Sequence, residues 1–264
     1  MQKIIFTDLD GTLLNHSDYR FDDAADALAQ IGQHGYPLII VSSKTAEEIK
    51  NLQTKIGLCE PFICENGAAI VYPSHYKKLG DTNGLSDNGY IRIPLGATYD
   101  ELVAFLNPFK KPLGIRGFSD MSTEEVAELT CLGLESALFA KRRQYTEPFI
   151  IKDETLLDIL TPEAKRAGYS ITRGGRFFHL KKAGSDKGVA VRKVLELFEA
   201  YTGEKSTSYA LGDSENDREM LDVVDVPLVV RKEDGSCLKG FSRCSKHPGS
   251  KGWNELIMEV VFGK

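Results

Sequence analysis

The sequence predicts an α/β fold, with a parallel-sheet core built from both ends of the chain and an α+β domain inserted between them. Three observations carry that prediction. Dense apolar runs near residues 4–6, 36–41 and 206–211 read as buried strands, and segments of helical periodicity separate them. The texture turns polar and rich in Gly, Asn and Asp from about Asp81 to Gly89, then resumes with strands and helices in a different rhythm. At Ser185 a strongly amphipathic stretch restores the first texture. In a chain of 264 residues this gives a Rossmann-like core of residues 1–82 and 185–264 with a cap domain over 83–184.

The first strand runs from Ile4 into Asp8-Leu9-Asp10-Gly11-Thr12 and brings Asp8 and Asp10 out of its end on one side. Two carboxylates that close are costly unless a cation, a shared proton or a phosphoryl group joins them. Asp10-Gly11 would also suit a simple hairpin turn. Asp22 to Ile31 carries apolar residues at helical spacing with Gly32 and Gly35 as a stop, and Tyr36 to Val41 is the second strand. A right-handed βαβ crossover makes the two strands parallel, so Ser42 reaches the same sheet edge as Asp8, where ligands of such sheets collect. Thr45 with Glu48 forms a capping-box pattern, so Ser42, Ser43 and Thr45 read either as capping groups or as phosphate ligands at a helix start. Pro61 to Asn66 and Ala68 to Tyr72 are short strands about Glu65-Asn66-Gly67, a hairpin signal.

In the insert, Tyr90 to Pro94, Leu113 to Phe118, Phe149 to Lys152, Tyr169 to Arg173 and Phe177 to Lys181 read as strands. Tyr99 to Phe109, Ser122 to Leu132 and Glu154 to Ala167 read as helices, the last interrupted at Pro162. Arg142 and Arg143 stand in a segment with Tyr145 and Pro148, and Arg176 and His179 flank the Gly174-Gly175 turn; by pattern alone such residues are usually solvated surface. Lys187 opens a helix, where the dipole disfavours a cation unless something anionic faces it. Ser206 to Leu211 is the next strand, and Gly212-Asp213 with Asp217 opens a helix running to Val224. Acids at a helix start complement its dipole, and the same two carboxylates suit Mg²⁺, which uses one or two of them and shares phosphate oxygens.

A composition of 42% hydrophobic and 27% charged residues is that of a globular chain with an ample core. A net charge of −5 argues against a nucleic-acid partner, and no apolar segment reaches membrane-spanning length, so a cytoplasmic protein is expected. The five cysteines are odd in number, lack CxxC spacing and are expected as reduced thiols.

The segments DLDGTLL, the Ser closing the second strand, Lys187-Gly188 and GDSENDREML resemble, in order, the four motifs of the haloacid dehalogenase superfamily of phosphohydrolases. Within it, SSKT, ENGAAI, RRQYTEPF and GGRFFHL are similar to those of the mannosyl-3-phosphoglycerate phosphatases, over nearly the whole chain. The resemblance implies Asp8 as nucleophile, Asp10 as general acid and base, and Ser42 (Ser43 the alternate) with Lys187 on the phosphoryl oxygens. It also implies Mg²⁺ at Asp8, Asp10 and Asp213 with Asp217 in support. Asn66, Arg142, Arg143, Arg176 and His179 become substrate-side candidates. A small phosphorylated glycoside is the implied partner, mannosyl-3-phosphoglycerate first and its glucosyl analogue or sucrose phosphate as alternatives. A phosphomutase or a non-catalytic metabolite-binding protein are the rival classes.

Overall fold

The computed structural model describes residues 2–80, 82–174 and 176–264; the expected linker start at Asp81 and Gly175 of the expected turn lie outside the described residues. Lys3–Thr7 forms β1, Ala25–His34 α1, Leu38–Val41 β2, Ala46–Ile56 α2 and Phe62–Cys64 β3, the alternation the sequence predicts. β1 pairs in parallel with β2, and β2 with β3. The Thr45–Glu48 capping box forms as expected, the Glu48 carboxylate accepting from the Thr45 N–H at 2.8 Å. Beyond the Glu65-Asn66-Gly67 turn, Ala69–Pro73 (β4) returns antiparallel to β3.

The next two strands correct the expected boundary near residue 83. Leu85–Asp87 (β5) and Tyr90–Pro94 (β6) form a hairpin, and β6 pairs with β4 in the core sheet instead of joining the cap. What reads as a polar linker is a hairpin turn. Asn88 and Gly89 have φ of 47° and 79°, the left-handed pair that a two-residue connection between twisted strands requires. Ile91 and Ile93 then pack against the core.

The insert holds α3 (Tyr99–Leu113), β7 (Ile115–Gly117), α4 (Thr123–Thr130), α5 (Leu134–Ala140), β8 (Glu147–Ile151), α6 (Leu157–Arg166), β9 (Tyr169–Gly174) and β10 (Phe177–Lys182). Its four strands make an antiparallel sheet in the order β7-β8-β10-β9. α3 and α6 cover one face through Leu102, Leu106, Leu160 and Ala164, while α4 and α5 pack with Phe118 and Phe177. α6 continues through Pro162, where a break was expected. Proline removes one hydrogen bond, but the buried Leu160 and Ala164 on either side anchor the helix to the sheet. α5 carries no local signal and is not among the expected helices.

The chain re-enters the core as α7 (Lys187–Thr202), β11 (Thr207–Gly212), α8 (Arg218–Leu221), β12 (Val226–Arg231), β13 (Cys244–Pro248) and α9 (Gly249–Leu256). The large sheet has nine strands in the order β13-β12-β11-β1-β2-β3-β4-β6-β5, parallel from β13 to β3. The alternation of β1 serves both faces: Ile5 joins the layer with α1, α2 and α9, whereas Ile4 and Phe6 join that with α7 and α8. The helix after Asp213 ends at Leu221, not Val224, and begins with a 3₁₀ turn. Cys237 and Cys244, expected as thiols, are joined in a disulfide, because the turn at 232–236 folds the chain back on itself; Cys59, Cys64 and Cys131 are free. Among the described residues no helix is long and apolar enough to cross a membrane.

Candidate active site

β1 lies in the middle of the large sheet, so its carboxyl end is enclosed by neighbours on both sides. Asp8 leaves it with only 6% of its surface exposed, and its N–H donates to the Leu211 carbonyl at 2.9 Å, registering β1 against β11. The buried indole of Trp253 donates to Thr7 Oγ1 at 2.9 Å, and that hydroxyl donates to the Asp8 carbonyl at 2.7 Å. The Asp8 backbone is therefore held through both its N–H and its carbonyl. Gly11 follows at φ 78°, and a methyl group there would sit 3.1 Å from Asp213 Oδ2. Glycine serves both the left-handed turn and the close approach of the two loops.

Lys187 answers the question its position poses. It is 1% exposed and donates to Asp8 Oδ1 at 2.7 Å and to Asp217 Oδ1 at 2.6 Å. Burial opposes its charge, but Asp217 and Asp8 outweigh that and raise its pKa above the usual lysine value. The other Asp217 oxygen accepts from the N–H groups of Asp213 and Ser214, each at 3.1 Å. Asp217 is thus committed to fixing Lys187 and the Asp213 loop. Burial, followed by the charge of Asp217, raises the Asp8 carboxyl well above its ordinary value, and Lys187 offsets only part of this. Asp213 is pushed up to about 6 by burial and by Asp217. Carboxylate oxygens of Asp8, Asp213 and Asp217 lie within 4.8 Å of one another. A buried acidic set with too little positive charge and hard oxygen donors fits a small divalent cation.

Asp10 points elsewhere: Lys44 Nζ lies 2.9 Å from its Oδ2, and its Oδ1 is buried without a partner. Ser42 is 1% exposed, accepts from the Lys44 N–H at 3.2 Å and does not line the cavity, whereas Ser43 does. Of the two serines, Ser43 is the one that reaches the cavity wall, one residue beyond the end of β2 that buries Ser42.

A cavity of about 950 Å³ opens over Asp8 and is roofed by the insert. Asn66, Arg143, Arg176 and His179 are among the residues that line it. Arg143 donates to the Ser43 carbonyl at 3.3 Å and to Thr146 Oγ1 at 2.7 Å. Arg176 is exposed and hydrogen-bonds the Leu129 carbonyl. Arg142 is the exception: it turns away from the cavity toward Glu47, 3.9 Å distant, because the end of α5 packs against α2 there. Buried polar atoms without protein partners include Asn66 Oδ1, Arg143 Nε and His179 Nδ1, which a polar ligand would satisfy. Lys44, Lys181 and Lys232 also line the cavity and escaped sequence reading, since surface lysines carry no local signal.

Burial, with Arg143 and Lys181 nearby, lowers the His179 pKa to about 3. The unfolded chain takes up a proton below about 6.5 that the folded chain refuses, so His179 costs stability as pH falls from 6.5 toward 3. Between pH 6.5 and 4.5 the protein should lose about 2 kcal/mol more than His179→Gln does, the slope approaching about 1.4 kcal/mol per pH unit below pH 5.5. Urea unfolding of both proteins at several pH values checks this; parallel pH profiles would show that His179 titrates freely.

Residues 5–93 and 130–235 match the haloacid dehalogenase-like hydrolase family, and the chain belongs to it. The enzyme class expected from the sequence, a hydrolase, agrees with that family. At the level of particular proteins, it is 45% identical over 262 residues to the glucosyl-3-phosphoglycerate/mannosyl-3-phosphoglycerate phosphatase of Persephonella marina, covering 98% of this chain and 97% of that one. Its identity to the phosphatase of the same name from Methanococcoides burtonii is 37%, over 99% and 98% of the two chains. A haloacid dehalogenase-like hydrolase from Bacteroides thetaiotaomicron shares the fold at a TM-score of 0.71, with 17% identity and coverage of 98% and 100%.

Proposed function

We propose that the protein is a Mg²⁺-dependent phosphatase that hydrolyses mannosyl-3-phosphoglycerate to mannosylglycerate and phosphate through an aspartyl-phosphate on Asp8. The glucosyl analogue, named with it for the relatives, is the second substrate. The observation that carries this reading is the buried Asp8–Lys187 pair facing a cavity whose cap side supplies cations and unpartnered polar atoms.

Lys187 holds one Asp8 oxygen and leaves the other to attack phosphorus in line, which divides one difficult displacement into two. Asp10 gives a proton to the departing alkoxide and then takes one from the attacking water, with Lys44 orienting its carboxylate beforehand. Lys187 and the hydroxyl of Ser43 stabilise the phosphoryl oxygens. Asp8, Asp213 and the Asp10 carbonyl would hold Mg²⁺, with Asp217 fixing the Asp213 backbone. The bound ion supplies positive charge to neutralise the phosphoryl oxygens. The cap excludes water and reads the leaving alcohol, whose carboxylate matches a planar guanidinium.

Arg176 is the arginine assigned to that carboxylate, because its bond to the Leu129 carbonyl is one that an anion can displace. A panel of phosphorylated glycosides, sugar phosphates and p-nitrophenyl phosphate, read as free phosphate with Mg²⁺, tests the reading. The glycosyl phosphoglycerates should have the highest kcat/KM. Arg176→Ala should lower it roughly 10- to 100-fold for them, about 1.5–3 kcal/mol, and far less for the small ester. Highest kcat/KM for another class of ester would reject the substrate, and an equal fall on both substrates would reject Arg176 as its reader.

A further inference from the structure

Glu65 is a buried carboxylate that the reaction described above does not use. It is 1% exposed and stands in the core turn between β3 and β4, yet its side-chain bonds run to the insert. It accepts from the N–H groups of Gln144 at 2.8 Å and Tyr145 at 3.1 Å and from Thr146 Oγ1 at 2.7 Å, with Arg143 Nη1 3.7 Å away. Three consecutive cap residues thus converge on one carboxylate, in surroundings where a lost acceptor cannot be replaced by water. The backbone beneath is held unusually. Glu65 and Asn66 have φ of 49° and 59°, a left-handed pair of non-glycine residues that persists only where the surroundings over-determine it.

The restraints come from the phosphoryl loop. The Glu65 N–H donates to the Lys44 carbonyl and the Asn66 N–H to the Ser42 carbonyl, each at 2.9 Å. This turn therefore sends one side chain up to the cap and the next, Asn66, to the cavity. Arg143, bonded to both Thr146 and the Ser43 carbonyl, closes the ring between cap and loop.

We propose that Glu65 is a positioning residue that latches the cap onto the phosphoryl loop, so that Arg143 and Asn66 face the substrate only while its carboxylate holds residues 144–146. The proposal rests on the phosphatase reading for its kinetic arm alone. Glu65→Gln puts an amide N–H₂ among donors and should break the latch.

The test compares the protein with Glu65→Gln and Thr146→Val in two measurements. In hydrogen exchange, the Gln144 and Tyr145 amides should exchange at least tenfold faster in Glu65→Gln while those of Ile4 to Phe6 keep their protection. In kinetics, the ratio of kcat/KM for the preferred phosphorylated glycoside to that for p-nitrophenyl phosphate should fall at least tenfold in Glu65→Gln and about threefold in Thr146→Val. Should Glu65→Gln fail to fold, Thr146→Val decides alone. An unchanged ratio, unchanged exchange at 144 and 145, or equal losses on both substrates overturns the latch. A protein that ignores glycosyl phosphoglycerates but prefers another glycoside refutes the substrate assignment and leaves the latch test intact.

Discussion

Asp8→Asn should abolish phosphate release from every substrate while the protein remains folded. The amide is nearly isosteric with the carboxylate and can still accept from Lys187, so the packing at the end of β1 changes little. Its oxygen is a poor nucleophile, and the other carboxylate bonded to Lys187, that of Asp217, does not line the cavity. Asp217 is itself bound to Lys187 but is buried beneath the site with both oxygens engaged. Burial also opposes the charge on Asp8, so removing that charge should leave thermal stability unchanged or higher. Activity within about tenfold of the parent, a barrier change of only ~1.4 kcal/mol, would remove Asp8 from the chemistry.

Lys187→Met should be the most destabilising of the site substitutions, and it should also eliminate activity. The ammonium is buried between Asp8 and Asp217, and a thioether there leaves both carboxylates without their cation. Breaking a buried pair from one side typically costs about 3–5 kcal/mol, because the remaining charge stays out of water unpaired. Two consequences can be measured in denaturant unfolding. The single variant should lose a stability of that order, and adding Asp217→Asn to it should restore part of the loss, since one uncompensated charge is gone. A loss below about 1 kcal/mol would mean that the pair is solvated and that Lys187 does not organise the site.

The core was legible in the sequence wherever chemistry and periodicity coincide. Asp8 ends a strand whose apolar residues alternate between two buried layers, and the lysine that the helix dipole disfavours in α7 proves to face two carboxylates. Legibility failed where the deciding contact is distant in sequence. Glu65 reads locally as a residue before an Asn-Gly turn, but its partners lie about eighty positions away. Lys44 looks like a helix-start residue until Asp10 is found beside it. β5 and the turn after it read as linker because their residues are those of a linker, and only pairing with β4 shows that β6, legible as a strand, belongs to the core sheet and not to the insert. Ser42 and Ser43 are adjacent serines, and no spacing rule separates the buried one from the one that lines the cavity. Arg142 and Arg143 differ in the same way, one turned to Glu47 and the other to the core loop.

If Asp8 carries the phosphoryl group between substrate and water, the intermediate can be trapped on it. The protein is mixed with a glycosyl 3-phosphoglycerate labelled in its phosphate, quenched in acid within one turnover, and digested for peptide mapping. Label should appear on the peptide bearing Asp8, released by hydroxylamine as an acyl phosphate is, and be absent from Asp8→Asn. Steady turnover with no labelled peptide, or label on any other residue, would contradict it.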